Sequence, residues 1–239
     1  SEQWLANSGA DFYNGVATQS LRFDDGSSAY LNKTFSTPTN NKIYTFSSWV
    51  KRSELSRRQA IFGAGSDGNN ENYIGFDADN TFYFQNYSHP SQYRYVSSAI
   101  YRDISAWYHC VVEVDTTLSS ADDRVKLYIN GERISIGTQQ DIPLNYNSRF
   151  NSAVNHGVGY SGNGSYAYYV DGYMAETNFV DGLSLDPSYF GETKNGVWIA
   201  KTPNVSDYGT NGFRLKFESS DFNESGSAIT DPYGSGTDV

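Results

Sequence analysis

Apolar and polar residues alternate along many short segments of this chain, and the period of the alternation is two. Residues 107–115 are the clearest case: the even-numbered positions would line one face of a strand, and the odd-numbered ones, which include Trp107 and Glu113, would line the other. Successive side chains of an extended chain point to opposite sides, so this period predicts strands. The sequence indicates no long amphipathic helix. The pattern therefore predicts an all-β fold of two packed antiparallel sheets.

Turn residues separate these segments. Asn130-Gly131 predicts a tight hairpin turn because Asn and Gly readily adopt the positive φ angles that such a turn needs. We expect an N-terminal extension over 1–19, one sandwich domain over 20–218 and an extended C-terminal tail or linker over 219–239. The predicted elements are strands over 20–24, 29–35, 43–51, 59–63, 73–76, 81–87, 93–100, 107–115, 125–129, 133–136, 155–160, 165–180 and 212–218, a polar loop over 65–72 and one helical turn over 186–191.

Composition and charge exclude several classes of protein. The chain has 239 residues, of which 16% are aromatic and 18% charged, a balance that favours a packed core over disorder. Its formal net charge of −10 argues against nucleic acid as a partner, because phosphate binding needs clustered Lys and Arg. No apolar run approaches the roughly 20 residues of a membrane helix, so no membrane insertion is predicted. The single cysteine, Cys110, excludes an intramolecular disulfide.

Four segments in order resemble the laminin-G-like, concanavalin A-like jelly-roll superfamily. They are YTFSSWVK at 44–51, WYHCVVEVD at 107–115, VKLYING at 125–131 and VDGYMAETNFV at 170–180. In that superfamily such segments form an early strand with a Trp, a central strand beginning Trp-x-His, a hairpin ending in Asn-Gly and a late strand opening with Asp-Gly. The resemblance implies a two-sheet antiparallel jelly-roll sandwich.

Three further stretches resemble bacteriophage virion proteins that carry laminin-G-like domains. They are SLRFDDGSSAYL at 20–31, FVDGLSLDPSYFG at 179–191 and YGTNGFRLKF at 208–217. The resemblance implies a non-enzymatic structural protein of a virion, as a tail fibre or another component of the particle surface. It implies a homo-oligomer in contact with other virion proteins, and a host-surface glycan or a protein neighbour as the bound partner. The alternatives are a secreted or cell-surface carbohydrate-binding module and a glycan hydrolase.

The hydrolase alternative depends on carboxylates. Jelly-roll hydrolases of β-glucans place acids in a Glu-x-Asp-x-x-Glu strand motif, in which one carboxylate is the nucleophile and another the acid/base. Glu113-Val114-Asp115 begins such a motif, but it continues as Thr116, Thr117 and Leu118. A second Glu is missing, so no catalytic residue is predicted. His109 and Cys110 are neighbours on one strand and would point to opposite faces, which excludes a nucleophile–base pair.

Calcium is the candidate cofactor, because the ion takes six to eight oxygen ligands from carboxylates, amides and carbonyls. The richest local supply is Asp67, Asn69, Asn70 and Glu71, and a second is Asn163 with Asp171. The alternative is that Asp, Asn and Gly occupy these positions because they tolerate turns.

Aromatic side chains are the candidates for ligand contact, because sugars present apolar C–H faces that stack on rings. Tyr beside Gly and Asn is typical of adaptable recognition loops, which favours the tyrosines around Gly162 and Gly164. For the two tryptophans the alternative is a place in the core, since large aromatics are usually well buried. The candidate ligand-binding residues are Trp49, Trp107, Tyr128, Tyr166, Tyr168 and Tyr169, with Tyr83 and Tyr87 as further outward-facing candidates.

Overall fold

The structure, a computed structural model, describes residues 15–67, 69–162, 167–218 and 221. Two seven-stranded antiparallel sheets pack face to face, which confirms the predicted jelly-roll sandwich. Tyr166 and Asn163 lie outside the described residues, as do most of the predicted extension and tail. Within the described part the strands are β1 Leu21–Phe23, β2 Leu31–Thr34, β3 Ile43–Arg52, β4 Gln59–Asp67, β5 Asn70–Phe76, β6 Thr81–Ser88, β7 Ser91–Ile100, β8 Tyr108–Asp115, β9 Val125–Ile129, β10 Glu132–Arg133, β11 Ile136–Gln140, β12 Asn155–Val158, β13 Tyr160–Gly162, β14 Ala167–Tyr169, β15 Gly172–Asp181, β16 Gly191–Lys194, β17 Val197–Ala200 and β18 Phe213–Leu215.

Sheet 1 has the strand order β1-β15-β3-β8-β9-β10, and β18 also pairs with β15. Sheet 2 has the order β11-β7-β6-β5-β4-β12-β2. Two separate hairpins, β13–β14 and β16–β17, lie outside both sheets. The one α-helix of the described residues, α1, spans Ala121–Arg124, and none of their helices is long and apolar enough to cross a membrane. Short 3-10 helices span Asp25–Ser27, Arg149–Asn151 and Pro187–Tyr189.

The core lies between the sheets and consists mainly of aromatic rings. Phe46 of sheet 1 stacks on Phe62 of sheet 2 with ring centroids 4.9 Å apart, and Phe62 also contacts Phe179 at 5.4 Å. Cys110 is fully buried in this core, as a small apolar side chain would be, and burial raises the pKa of its thiol. The alternation seen in the sequence therefore separates core positions from positions on the outer face of each sheet.

Several local expectations need correction. The predicted polar loop over 65–72 is mostly strand, because β4 runs on to Asp67 and β5 begins at Asn70. The polar side chains there satisfy one another: Asn70 donates to the Asp67 carboxylate at 2.9 Å and accepts from Ser88 at 2.8 Å. The predicted return strand over 133–136 is only two residues long in sheet 1, and the chain then crosses to sheet 2 as β11.

The outer face of sheet 1 is covered by the chain that follows β15. Leu185, Phe190 and Tyr208 of this segment pack on Val180 of β15, and Ala200 packs on Trp49 of β3. The sequence predicted the helical turn inside the segment, where Asp186 accepts a hydrogen bond from the Ser188 backbone at 2.8 Å. It did not predict hairpin β16–β17. This covering segment, residues 182–212, gives sheet 1 buried side chains on both faces.

The outer face of sheet 2 is covered over a smaller area, by hairpin β13–β14. Gly63 permits the contact, because a Cβ there would lie 2.4 Å from the Ser161 Cβ and 2.6 Å from the Tyr160 carbonyl oxygen. Ser161 donates a hydrogen bond to the Asn72 carbonyl at 3.3 Å. The hairpin thus lies mainly across β4 and β5.

Candidate functional site

The two tryptophans of sheet 1 that were predicted to bind a ligand are buried or half-buried. Trp49 is only 3% exposed, so its ring has no open face for a ligand, and the core alternative holds for it. Trp107 is half-buried and packs against the buried cluster that contains Trp49 and Ala200. The Trp49 ring stacks on His109 at 4.8 Å, and the β16–β17 hairpin closes over both. These two tryptophans therefore belong to the packing beneath the covering segment.

His109 joins the covering segment to sheet 1. The Trp198 indole N–H donates to His109 Nδ1 at 2.9 Å, so that nitrogen carries no proton and Nε2–H donates to Ser47 Oγ at 2.9 Å. Complete burial lowers the pKa of His109 to about 3. The Trp198 ring fits closely above Gly131 and Gly191, where an added Cβ would lie 2.7 and 2.5 Å from it. The imidazole is thus a neutral structural group.

Both carboxylate oxygens of Glu113, which begins the incomplete hydrolase motif, accept hydrogen bonds. Its carboxylate accepts hydrogen bonds from Lys126 Nζ at 2.9 Å, from Ser184 Oγ at 2.9 Å and from the Tyr128 hydroxyl at 2.7 Å. Burial, together with this carboxylate, raises the pKa of Tyr128. The predicted ligand residue Tyr128 therefore serves as a hydrogen-bond donor at the edge of the covering segment.

Hairpin β13–β14 brings three tyrosine rings together at the surface. Tyr160 and Tyr169 are directly paired across the hairpin, with ring centroids 4.8 Å apart. Tyr30, which is 41% exposed, adds its ring 4.5 Å from that of Tyr160. We call Tyr30, Tyr160 and Tyr169 the tyrosine patch. The sequence predicted Tyr169 as a ligand residue and missed the other two.

Tyr168 is adjacent to Tyr169 but faces the sheet. Its ring lies 5.5 Å from the Tyr73 ring, and the Arg58 guanidinium stacks on it at 5.0 Å while bonding Asp77 at 3.0 Å. Tyr73 in turn stacks on Tyr83 at 5.1 Å, and both are buried. The further candidate Tyr87 is half-buried and contacts His89 at 3.1 Å. Tyr168 therefore anchors the hairpin with one face of its ring.

Beyond this anchor, the outer face of sheet 2 carries amides and a guanidinium. Gln85 accepts from the Tyr83 hydroxyl at 2.6 Å and from Gln92 at 2.8 Å, and it donates to Glu71 at 3.2 Å. Arg94 lies directly opposite Gln85 on the neighbouring strand, and its guanidinium stacks on the Tyr83 ring at 5.0 Å. This face, defined by Tyr83, Gln85, Gln92, Arg94 and Gln140, is named the amide–arginine face.

Of the four predicted calcium ligands, Asp67, Asn69 and Asn70 are joined by hydrogen bonds, whereas Glu71 contacts Gln85. The Asp67 carboxylate accepts from the Asn69 backbone at 2.8 Å and from the Asn70 amide, and these hydrogen bonds lower the pKa of Asp67. Glu71 points to the outer face of sheet 2, where Gln85 donates to it. Calcium binding by these residues stays a prediction.

Asp171, the other residue named for calcium, lies near Asp24 and Asp25, with carboxylate oxygens within 4.8 Å of one another. Arg57 forms an ion pair with Asp25, and Arg22 pairs with Asp171 at 2.9 Å. Burial and the Asp25 carboxyl raise the pKa of Asp171. Both carboxylates are thus engaged by neighbouring arginines.

The cavity beneath the hairpin is small. It has a volume of about 90 Å³, and its walls are largely glycine backbone, including Gly63, Gly65, Gly157 and Gly162. Ligand pockets usually enclose about 300–1,000 Å³. This cavity is therefore too small for a sugar. The candidate binding surfaces of the described residues are the tyrosine patch and the amide–arginine face.

Comparison with known families identifies the fold. Residues 24–188 match the model of the Laminin_G_3 family, described as the concanavalin A-like lectin/glucanases superfamily. The chain belongs to this superfamily. A search of curated protein sequences finds no significant match. The superfamily contains both binding and hydrolytic proteins, so membership alone does not decide between those functions.

Solved structures share the sandwich at low sequence identity. A Bacteroides ovatus protein, whose carbohydrate binding is itself a prediction, is 13% identical with a TM-score of 0.58, over 89% of this chain and 55% of its own. Domain 4 of a Geobacillus stearothermophilus extracellular GH43 arabinanase, in complex with arabinotriose, is 21% identical with a TM-score of 0.46, over 66% and 68%. Tailspike protein 2 of Escherichia coli O157:H7 bacteriophage CAB120 is 12% identical with a TM-score of 0.48, over 74% and 24%. At these identities the likeness shows the fold alone, and the chain spans about half of the Bacteroides protein and a quarter of the tailspike.

One signal could have located a missed residue of this concanavalin A-like domain. Tyr160 precedes the Gly-rich stretch 162–164, which predicts a turn, and the strand that returns from it carries Tyr169, the partner of Tyr160 across the hairpin. Tyr30 carries no local signal, because it is placed by contact with Tyr160, which is distant in the sequence.

Proposed function

We propose that this chain is a non-catalytic glycan-binding domain whose sugar-binding surface is the tyrosine patch. The observation that carries the proposal is the contact of three partly exposed rings, Tyr30, Tyr160 and Tyr169, with centroids 4.5 and 4.8 Å apart. Exposed aromatic rings that contact one another offer a continuous apolar surface with hydroxyl groups at its rim. A sugar presents the matching chemistry, with C–H groups on its faces and hydroxyls at its edge.

The patch is held in place before any ligand arrives. Ser161 and Tyr168 fix the inner side of the hairpin to sheet 2, and Tyr160 pairs with Tyr169 on its other side. A surface that is already ordered loses little conformational entropy on binding, which favours affinity. Tyr also suits this role because it has few rotatable bonds for its contact area.

A glycan array followed by calorimetry tests the proposal. We expect the chain to retain a glycan, and we expect Tyr169→Ala and Tyr30→Ala to weaken binding about tenfold or more, in line with loss of an aromatic anchor. Tyr173→Ala is the matched control, because Tyr173 is 38% exposed but lies on β15 of sheet 1, outside the hairpin. Equal affinity of all three variants would place the binding surface elsewhere.

The non-catalytic part of the proposal is supported by the state of Glu113. A general acid or nucleophile needs access to the substrate, whereas this carboxylate is 8% exposed and accepts three hydrogen bonds. We expect no release of reducing sugar from the glycans that bind. Release that disappears in Glu113→Gln, with the variant still folded, would favour a hydrolase instead.

The finer proposal is that the domain belongs to a bacteriophage particle, as a tail fibre or another surface component, and contacts other virion proteins as a homo-oligomer. It rests on the sequence resemblance at 20–31, 179–191 and 208–217. Mass spectrometry of purified particles and light scattering of the isolated chain test it. A monomer that is absent from particles but binds a glycan would favour the alternative, a secreted or cell-surface carbohydrate-binding module.

A further inference from the structure

Arg94 has a half-buried guanidinium without an acceptor among the described residues. Its Nε is buried and donates to no described atom, and its Nη nitrogens form no hydrogen bond with the part of the chain that the structure describes. Arg22, Arg57, Arg58, Arg133 and Arg214 each pair with a carboxylate, and Arg52 and Arg124 donate to backbone carbonyls. Arg149 also has a buried Nε without an acceptor, but it lies close enough to Asp67 to lower the pKa of that carboxyl, and Arg102 is exposed.

The position of Arg94 is fixed even though its charge is uncompensated. The guanidinium lies 5.0 Å from the centroid of the Tyr83 ring, which is itself buried and stacked on Tyr73. A cation over an aromatic face is oriented by the ring. Removing a guanidinium from water without an acceptor costs free energy, which an anion at its outer edge would recover.

We propose that Arg94 forms a subsite for a sugar residue that bears an oxyanion, a carboxylate or a sulfate. The guanidinium would hold the anion through its solvent-facing Nη groups. Amides surround this position: Gln140 lies directly opposite Arg94 on β11, and Gln92 lies two residues before it on the same face. Gln92 uses its amide N–H on Gln85, which leaves its carbonyl oxygen to accept from a sugar hydroxyl. Charge for the anion and amides for the hydroxyls together match an acidic sugar.

The negative charge of the chain does not oppose this subsite strongly. Glu71 lies on the same face, and its Oε2 already accepts from Gln85. Asp77, whose charge also acts on Tyr83, is paired with Arg58 at 3.0 Å. Gln85 lies between Glu71 and Arg94 in the sheet. More distant charges contributing to the net −10 are largely screened at physiological salt, where the Debye length is about 8 Å. The inference rests on the proposed glycan-binding function but names a different surface.

Nuclear magnetic resonance titration of the whole chain tests the subsite. The probes are D-glucuronate, D-galacturonate, N-acetylneuraminate and D-glucose 6-sulfate, with D-glucose and D-galactose as neutral partners and acetate as an anion without a sugar. We expect acidic sugars to shift the amide signals of residues 85, 92, 94 and 140, and to bind at least fivefold more tightly than the neutral sugars. Arg94→Gln should abolish that preference, whereas Arg102→Gln, the matched control, should preserve it.

The titrations distinguish a carboxylate ligand from a sulfate ligand. They also distinguish failure of the Arg94 subsite from failure of the proposed glycan-binding function. A larger response to glucuronate than to glucose 6-sulfate assigns the site to carboxylates, and the reverse assigns it to sulfates. Equal binding of neutral and acidic sugars, or an unchanged preference in Arg94→Gln, overturns the inference and leaves the tyrosine patch untouched. Shifts with acetate alone also overturn it. Failure of every glycan on the array, by contrast, removes the proposed function itself.

Discussion

The outer faces of the two sheets carry similar side chains but differ in how far they are exposed to solvent. On sheet 1, Trp49, His109 and Glu113 lie beneath residues 182–212, and each is less than a tenth exposed. On sheet 2, hairpin β13–β14 covers only one side, so Arg94 and Gln92 keep contact with solvent. The same alternation thus produces a second core on one sheet and, on the other, the surface that we propose for binding, and the covering segment makes the difference.

Removing the Trp198 ring, which anchors the covering segment, should have the largest effect on stability. We expect Trp198→Ala to lower the free energy of unfolding by about 3 kcal/mol, because it empties the space above Gly131 and Gly191 and removes the donor to His109. Urea unfolding measures this. Val197→Ala, at a neighbouring position that is 48% exposed, is the control and should change stability by less than about 0.5 kcal/mol. Equal stability of the two variants would mean that the cover is not held by this ring.

Lifting the hairpin from sheet 2 should have the next largest effect. A Cβ in Gly63→Ala would lie 2.4 Å from the Ser161 Cβ, and we expect a loss of about 2 kcal/mol from the resulting shift. The same variant should weaken glycan binding, because Tyr160 and Tyr169 move with the hairpin. Gly26→Ala is the control: its Cβ would lie 3.5 Å from the nearest atom, so stability and glycan binding should both stay unchanged. Unaltered binding in Gly63→Ala would argue against the tyrosine patch.

Acidic pH should lower the stability of the fold, because His109 beneath the covering segment is neutral. Its folded pKa of about 3 lies below the roughly 6.5 of an unfolded chain, so the unfolded state takes up the proton first as the pH falls. Stability is then lost from about pH 6.5 downward, by about 1.4 kcal/mol for each pH unit from this group. Unfolding measured at pH 6.5 and 5 should show a smaller loss in His109→Gln. An identical loss would mean that His109 does not remain neutral in the fold.

Calcium should have the smallest effect. For a weak site with a dissociation constant near 1 mM, 1 mM calcium adds about 0.4 kcal/mol of stability, which corresponds to a rise in Tm of about 1–2 °C. Thermal unfolding with calcium and with chelator measures it, and Asp67→Asn should remove the difference. A large rise in Tm that persists in Asp67→Asn would assign calcium to other ligands.

Local patterns and distant contacts contributed differently to what could be predicted. The period of two located most strands of the two sheets, and Asn130-Gly131 located a turn with φ angles of 51° and 85°. The loop predicted over 65–72 is wrong because side-chain pairing, as between Asp67 and Asn70, lets polar residues continue a hairpin. The domain bounds 20–218 stay a prediction, although Asp221, in the predicted tail, is buried.

The sequence by itself determined an all-β sandwich, its core positions and its turns, because those depend on the alternation of neighbouring residues. Only the tertiary structure decided which outer face is open, since alternation marks Trp49 and Tyr169 alike as outward-facing. Trp49 is buried because residues far along the chain fold over it, and Tyr30 joins Tyr160 although 130 positions separate them. Contacts between such distant residues leave no mark in a local pattern.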